Sequence, residues 1–76
     1  MGRGFCPECL KECPAETGQC PVHRVEPLQV STADPRCGEV IEARYLLVEV
    51  LGRGGMGVVY RAWQASTQRY IALKLM

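Results

Sequence analysis

The feature that most constrains the fold is a glycine-rich segment between two apolar stretches. It reads Gly52-Arg53-Gly54-Gly55-Met56-Gly57, and it follows the run 45–51 and precedes the run 58–63. Both runs are rich in β-branched, aromatic and leucine residues, a composition typical of strands. A third such run, 69–75, follows a short polar turn at 65–68. The sequence therefore predicts three consecutive antiparallel strands over 45–76, with no helix of ordinary length.

Gly-x-Gly-x-x-Gly occurs in several kinds of nucleotide-binding loop. A dinucleotide-binding loop would lead into a helix, whereas Val58-Val59-Tyr60 favours a strand. A P-loop needs Lys-Ser or Lys-Thr after its last glycine, and neither is present. A glycine loop between two strands, followed by Ala72-Leu73-Lys74 on a third, is typical of the ATP site of protein kinases. A hairpin that binds no ligand is the alternative.

The chemistry of these residues supports the interpretation of the segment as a nucleotide-binding site. Glycines have no Cβ, so the backbone can approach phosphate groups closely. Lys74 would give a positive charge to the α- and β-phosphates. Strand alternation puts Ala72 on the same face as Lys74, and Leu51 and Val59 would enclose the adenine. The alternative is that Leu51 and Val59 are sheet core and that Lys74 is a solvated strand lysine. Tyr60 and Trp63 are interpreted as packing residues.

The segment 52–62 resembles the glycine loop of the eukaryotic-like Ser/Thr protein kinases of bacteria, and 39–45 resembles the lead-in to their first strand. The resemblance covers residues 38–76, about half of the chain. It implies the start of a kinase N-lobe, with ATP and Mg²⁺ as cofactors, a protein substrate, and transfer of the γ-phosphoryl group to a protein hydroxyl. The ATP-site residues that it implies are Leu51, Gly52, Arg53, Gly54, Gly55, Met56, Gly57, Val59, Ala72 and Lys74.

The catalytic groups of such kinases would lie beyond this sequence. They are a Glu on the next helix, the Asp and Asn of the catalytic loop and the Asp of Asp-Phe-Gly, which holds Mg²⁺. The sequence ends at Met76, two residues after Lys74. We therefore expect an N-terminal fragment that contains no catalytic residue and is inactive by itself.

A second motif lies near the N-terminus, in Cys6-Pro7-Glu8-Cys9 and Cys20-Pro21-Val22-His23. Two such knuckles can supply the four ligands of a tetrahedral zinc ion, and the metal would then stabilise so short a segment. The predicted ligands are Cys6, Cys9, Cys20 and His23, with Cys13 as the alternative fourth ligand. A redox pair, a disulfide and a site that has lost its metal are the competing interpretations.

The cysteine segment resembles the small zinc ribbons that precede the kinase domain in some bacterial Ser/Thr kinases, which implies a docking or regulatory module. Together the two motifs predict a zinc-ribbon-like segment at 5–24, a linker and lead-in at 25–44, and the start of a kinase domain at 45–76. The expected fold is thus a small zinc ribbon followed by the first three strands of a kinase N-lobe. The alternative function is a zinc-binding interaction module attached to a non-catalytic kinase relic.

Composition narrows the function classes. The formal net charge is +1 and 22% of the residues are charged, without the clustered Lys and Arg of a nucleic-acid-binding surface. No apolar run reaches the roughly 18 residues of a membrane span, and the N-terminus has no signal-peptide pattern. We therefore expect a cytoplasmic location, where closely spaced cysteines are more often metal ligands than disulfides. Complete kinases of the type resembled often carry a membrane span after the catalytic domain.

Overall fold

The computed structural model of the chain describes residues 2–14 and 17–76, and these contain strands, turns and loops but no helix. The prediction of a chain without ordinary helices is thus confirmed for the described residues, none of which forms a helix able to cross a membrane. The strands are β1 (Gly2–Phe5), β2 (Leu28–Ser31), β3 (Val40–Ile41), β4 (Tyr45–Gly54), β5 (Gly57–Gln64) and β6 (Arg69–Leu75).

The strands form two antiparallel sheets. Strands β1 and β2 pair around the cysteine segment, with Phe5 opposite Leu28. Strands β3, β4, β5 and β6 form the larger sheet in that order. The three long strands correspond to the three predicted runs, whereas β1, β2 and β3 were not predicted. Each of these has only two to four residues, too few to show a hydrophobic period.

The glycine-rich segment is more regular than the predicted loop. Strand β4 continues through Gly54, β5 begins at Gly57, and only Gly55 and Met56 form the turn. Gly57 has a φ of +124°, and a Cβ there would lie 2.4 Å from the carbonyl oxygen of Leu75. Only glycine fits this position, because a side chain would meet backbone that cannot move aside.

Two β-bulges shape β4. The register against β5 shifts between Leu47 and Glu49 and again between Val50 and Gly52, which leaves Val48 and Leu51 as the extra residues. A bulge interrupts side-chain alternation and bends the strand. The first bulge falls within the run 46–48, whose three residues are all buried; Leu46 and Leu47 are regularly paired with Trp63 and Ala62, so both faces of the strand are covered there. The second lies immediately before the glycine-rich segment, and Leu51 is 51% exposed there.

One hydrophobic cluster joins the two sheets. Phe5, Leu10 and Val30 from the N-terminal segment are buried together with Leu47 and Tyr60 of the larger sheet. Within that sheet the register places Tyr60 opposite Leu73 on one face, and residues 59, 61, 72 and 74 on the other. The N-terminal segment and the sheet therefore share a core, while the face that carries Val59 and Lys74 is separate from it.

Replacement of Leu47 by Ala tests the shared core. Leu47 is fully buried, so Leu47→Ala should lower the free energy of unfolding by about 2–5 kcal/mol, measured by urea titration followed by circular dichroism. The matched control is Leu51→Ala, on the same strand but half-exposed, which should change it by less than about 0.5 kcal/mol. Equal losses for the two variants would contradict the assigned core.

Candidate metal centre and nucleotide cleft

Four predicted ligands lie together in the N-terminal segment. The ligand atoms of Cys6, Cys9, Cys20 and His23 all lie within 4.8 Å of one another. Cys9 Sγ is 3.8 Å from Cys20 Sγ, and His23 Nδ1 is 3.4 Å from Cys6 Sγ and 3.5 Å from Cys20 Sγ. Residues separated by as many as 17 positions thus meet at one point.

These distances agree with a tetrahedral zinc site. Zn–S bonds of about 2.3 Å and Zn–N bonds of about 2.0–2.1 Å give tetrahedral edges of about 3.8 Å between two sulfurs and about 3.5 Å between sulfur and nitrogen. The observed separations of 3.8, 3.4 and 3.5 Å match both kinds of edge. The donor set, three thiols and one imidazole, is also a usual one for structural zinc. The residues therefore fit zinc in both chemistry and spacing.

The two knuckles have the same backbone geometry. Leu10 N donates to Cys6 O, and Arg24 N donates to Cys20 O, each at 2.9 Å and each four residues along the chain. Leu10 and Arg24 also both have positive φ, at 63° and 52°. Leu10 directly follows Cys9, and Arg24 directly follows His23. His23 therefore occupies in the second knuckle the place that Cys9 occupies in the first.

Backbone N–H groups of the two knuckles also form hydrogen bonds with the cysteine sulfurs and change the pKa of the thiols. Glu8 N and Cys9 N donate to Cys6 Sγ at 3.3 and 3.5 Å, while burial raises the pKa of the Cys6 thiol. The backbone N–H and the side chain of His23, with the backbone N–H of Val22, lower the pKa of Cys20 to about 6. Because a metal binds the thiolate form, these N–H groups favour the state in which Cys20 is a ligand.

The other two cysteines lie elsewhere. Among the described residues, Cys13 is not part of the four-residue group, and its backbone N–H donates to Gly4 O at 2.8 Å. Cys37 belongs to the hydrophobic cluster, and burial raises the pKa of its thiol. The geometry therefore favours His23 over Cys13 as the fourth ligand, which the sequence had left open.

The first knuckle is hydrogen-bonded to the larger sheet. Trp63 Nε1 donates to Pro7 O at 2.9 Å, and Gln68 Nε2 approaches the same oxygen at 3.4 Å. The Trp63 ring also makes an edge contact with Tyr70, with 5.0 Å between the centroids. Trp63, predicted to be a packing residue, therefore also connects the cysteine segment to β5.

The glycine-rich segment and the lysine strand meet at a second site. A cleft of about 260 Å³ is lined by seven of the predicted nucleotide-binding residues: Gly52, Arg53, Gly54, Met56, Gly57, Val59 and Lys74. Val59 and Lys74 are directly opposite each other across β5 and β6, so their side chains share a face. Leu51, Gly55 and Ala72 do not line this cleft. Ala72 nevertheless lies on the face of Lys74, two positions before it.

The glycines of this segment differ in whether the backbone conformation and the packing of the chain require glycine at their positions. Gly57 is required by its φ and by the close carbonyl of Leu75. At Gly52, Gly54 and Gly55, by contrast, an added Cβ would meet no atom within 4 Å, and none of the three has positive φ. Neither packing nor backbone conformation in the chain explains these three glycines.

A residue that the sequence did not single out contacts Arg53, one of the residues that line this cleft. Asp34, in the loop after β2, is only 6% exposed. Its carboxylate accepts hydrogen bonds from Arg36 N at 2.8 Å, from Tyr60 Oη at 3.1 Å and from Arg53 Nη2. The Arg36 N–H, with Arg53 and Tyr60, lowers the pKa of Asp34 against the opposing effect of burial. The sequence 31–36 indicates only a turn, since an Asp two residues before a backbone donor is ordinary turn chemistry.

The chain is similar in sequence to several Ser/Thr protein kinases. It is 32% identical over 83 residues to Serine/threonine-protein kinase Pkn1 of Myxococcus xanthus, covering 96% of the chain and 12% of that kinase. It is 50% identical over 38 residues to PknK of Mycobacterium tuberculosis, covering 50% of the chain and 3% of that kinase. It is 53% identical over 32 residues to the tousled-like 2 kinase of Homo sapiens, covering 42% and 4%.

These matches define a local relation to Ser/Thr kinases. The chain spans 12% or less of the length of these three relatives. No protein-family model matches the chain, and no solved structure matches it. The Myxococcus xanthus alignment covers 96% of the chain, so it extends into the cysteine segment as well as the glycine-rich one.

Exchange of the fourth ligand tests the metal centre. We expect one Zn²⁺ or Co²⁺ per chain, with the visible absorption of tetrahedral thiolate-bound cobalt. His23→Ala should weaken binding by more than the roughly 10–100-fold that loss of a supporting hydrogen bond costs. The matched control, Cys13→Ala, should bind both metals normally. Loss of the metal from Cys13→Ala, with retention in His23→Ala, would reverse the ligand assignment.

The hydrogen bond between Trp63 and Pro7 predicts an optical signal. Trp63 is the chain's one tryptophan, and its ring is held against the first knuckle. Removal of the metal with a chelator should loosen that turn, expose the indole, and move its emission to longer wavelength. The control is a Cys20→Ser variant, which lacks a ligand and should not respond to chelator. An unchanged emission spectrum of the metal-loaded protein after chelation would show that the knuckle and Trp63 are not coupled.

Proposed function

We propose that this chain is the ATP-binding N-terminal portion of a Ser/Thr protein kinase, preceded by a structural zinc centre. The observation that carries the proposal is the cleft at the end of β4 and β5, where the glycine-rich segment and Lys74 come together. A glycine-lined backbone beside one lysine matches the chemistry of a polyphosphate, which needs close N–H donors and positive charge.

Two further observations support the nucleotide. The glycines at 52, 54 and 55 are not explained by the chain's own packing, and close approach of a phosphate group to the backbone is a known reason for glycine. The relatives that align with this segment are named Ser/Thr kinases, from bacteria and from vertebrates. A hairpin without a ligand would explain neither observation.

The proposed roles follow from the geometry. Lys74 would neutralise the α- and β-phosphates, and backbone N–H groups of 52–57 would cover them. Val59, opposite Lys74, would contact the adenine together with Leu51 and Ala72. The Mg²⁺ ligands and the base that activates the protein hydroxyl would come from the rest of the kinase, so these 76 residues would bind nucleotide without transferring phosphate.

The cysteine segment would act as a zinc-stabilised module of the same protein. In this proposal residues 5–24 form the zinc ribbon, 25–44 the linker and lead-in, and 45–76 the start of the kinase domain. The matching metal-site geometry supports the first part. The Myxococcus xanthus kinase, whose alignment covers both segments, supports their combination in one protein.

A second candidate function is a zinc-binding interaction module on a kinase relic. Val22, inside the second knuckle, is 79% exposed, and it borders an apolar cleft of about 480 Å³ that includes Pro14 and Pro21. Pro14, Pro21 and Val22 are all exposed at this cleft, and contiguous exposed apolar surface is suited to contact another protein. Nucleotide binding distinguishes the two candidates, because a relic that had lost the site would not respond to ATP.

Lys74→Met is the direct test of the nucleotide site. In the full-length protein it should lower affinity for MgATP at least about tenfold, measured by calorimetry, because a charge-assisted contact to phosphate is lost. The chain's other lysine is the matched control: Lys11 lies in the cysteine segment, and Lys11→Met should leave affinity unchanged. Equal affinity in the wild type and Lys74→Met would refute the role given to Lys74, and absence of ATP binding would favour the second candidate.

A further inference from the structure

Asp34 is the only buried charged residue among those that the structure describes. It lies between β2 and β3, outside the segments predicted to bind nucleotide or metal. A buried carboxylate is costly unless hydrogen bonds compensate for the lost water. Asp34 has three donors, and two of them, Arg53 and Tyr60, belong to the β4–β5 hairpin.

The contact with Arg53 differs from an ordinary surface ion pair. The Arg53 side chain is 59% exposed, whereas that of Asp34 is 6% exposed. An exposed arginine gains little from a solvated carboxylate, but here the carboxylate is fixed in advance by Arg36 N and Tyr60 Oη. Arg53 therefore donates to a carboxylate whose position is already fixed. The loop 32–39, which carries this carboxylate, thereby restricts the position of the Arg53 side chain.

Because Arg53 itself lines the cleft, its contact with Asp34 links the loop 32–39 to the cleft. Arg53 lies between two of the cleft glycines and is paired with Val58, one residue pair before the pair formed by Gly54 and Gly57 at the turn. Glycines on either side leave the backbone there unusually free to move. The pairing of β4 with β5 already restrains residues 52–54, and the side-chain anchor at Arg53 adds a second restraint close to the turn at Gly55 and Met56.

We propose that Asp34 is a positioning residue for the glycine-rich segment, and that through Arg53 it makes the loop 32–39 part of the nucleotide site. Asp34 does not line the cleft, so it acts on the ligand only through the backbone conformation of 52–57. The consequence for nucleotide binding rests on the proposed function, whereas the restraint of the segment does not.

Hydrogen exchange of the full-length protein without nucleotide tests the restraint. Asp34→Asn and Arg53→Gln should each speed exchange of a peptide covering 52–57 about tenfold. The double variant should add little, because both remove one contact. Arg53 is exposed, so Arg53→Gln remains informative even where Asp34→Asn fails to fold. The proposal is overturned when the segment exchanges at the wild-type rate in Arg53→Gln, or when the two effects simply add.

Two controls separate positioning from general destabilisation. Glu49 and Arg61 form a carboxylate–arginine pair across the same two strands, with Nη1 and Oε2 3.4 Å apart. Glu49→Gln, Arg61→Gln and their double variant should leave exchange of 52–57 unchanged. Tyr60→Phe removes one of the two hydrogen bonds that fix the Asp34 carboxylate but keeps its charge and the contact with Arg53, so it should speed exchange of 52–57 less than Asp34→Asn does. If Asp34→Asn instead speeds exchange equally throughout the sheet, its role is structural only.

Nucleotide affinity supplies the second part of the test. With MgATP as the probe, Asp34→Asn should weaken binding several-fold, while Glu49→Gln should not. Weakening in Lys74→Met but not in Asp34→Asn would refute the positioning role. Should neither the wild type nor any variant bind MgATP, the proposed function fails, and the exchange data still decide whether Asp34 restrains the segment.

Discussion

The pairing of β4 with β5 is the constraint on which the rest of the structure depends. Side chains alternate across a strand, so one register decides which residues enter the core and which face the cleft. That register puts Tyr60 and Ala62 into the core and leaves Val59 on the face of Lys74. The bulges at Val48 and Leu51 shift this register by one residue each between Leu47 and Gly52.

The cysteine segment depends on this sheet and on its own ligands. Even together with β1 and β2, which flank it, the segment has few buried apolar side chains, chiefly Phe5, Leu10 and Val30. So small a unit usually needs a metal or disulfides, and the described cysteines form no disulfide. The four ligand atoms already lie within 4.8 Å of one another, and three of their separations match the edges of a tetrahedral zinc site, so binding zinc would need little rearrangement. A bound metal would thus complement the shared core as a source of stability.

Much of this arrangement was predictable from local sequence, because the signals were local. The three long strands follow from their β-branched and aromatic runs, and three of the four ligands, Cys6, Cys9 and Cys20, follow from two knuckles of equal spacing. The choice of His23 over Cys13 needed the repeated backbone turn, which appears in the structure as the paired positive φ of Leu10 and Arg24. Spacing alone could not supply it, because both residues are chemically competent ligands.

The long-range polar contacts were not predictable. Asp34 is 19 residues from Arg53 and 26 from Tyr60, and in the sequence it has the appearance of a turn residue. Trp63 is 56 residues from Pro7, and an indole N–H in an apolar run gives no indication of its acceptor. Such contacts depend on how two segments pack, which no periodicity encodes. The nucleotide site itself stays a proposal that rests on the cleft and on the kinase relatives.

These unpredicted contacts also have a common geometry. The N-terminal part of the chain contacts the β4–β5 hairpin near both ends, through Arg53, which is paired with Val58, and through Trp63. Five residues of strand separate positions 58 and 63, or roughly 17 Å. Strand β6 also pairs with β5 from Val58 to Gln64, so the two contacts add to the restraint that the four-stranded sheet already places on the hairpin. The segment before the sheet is therefore hydrogen-bonded to the hairpin near both of its ends, and the contact made by Arg53 is the one nearer the glycine-rich turn.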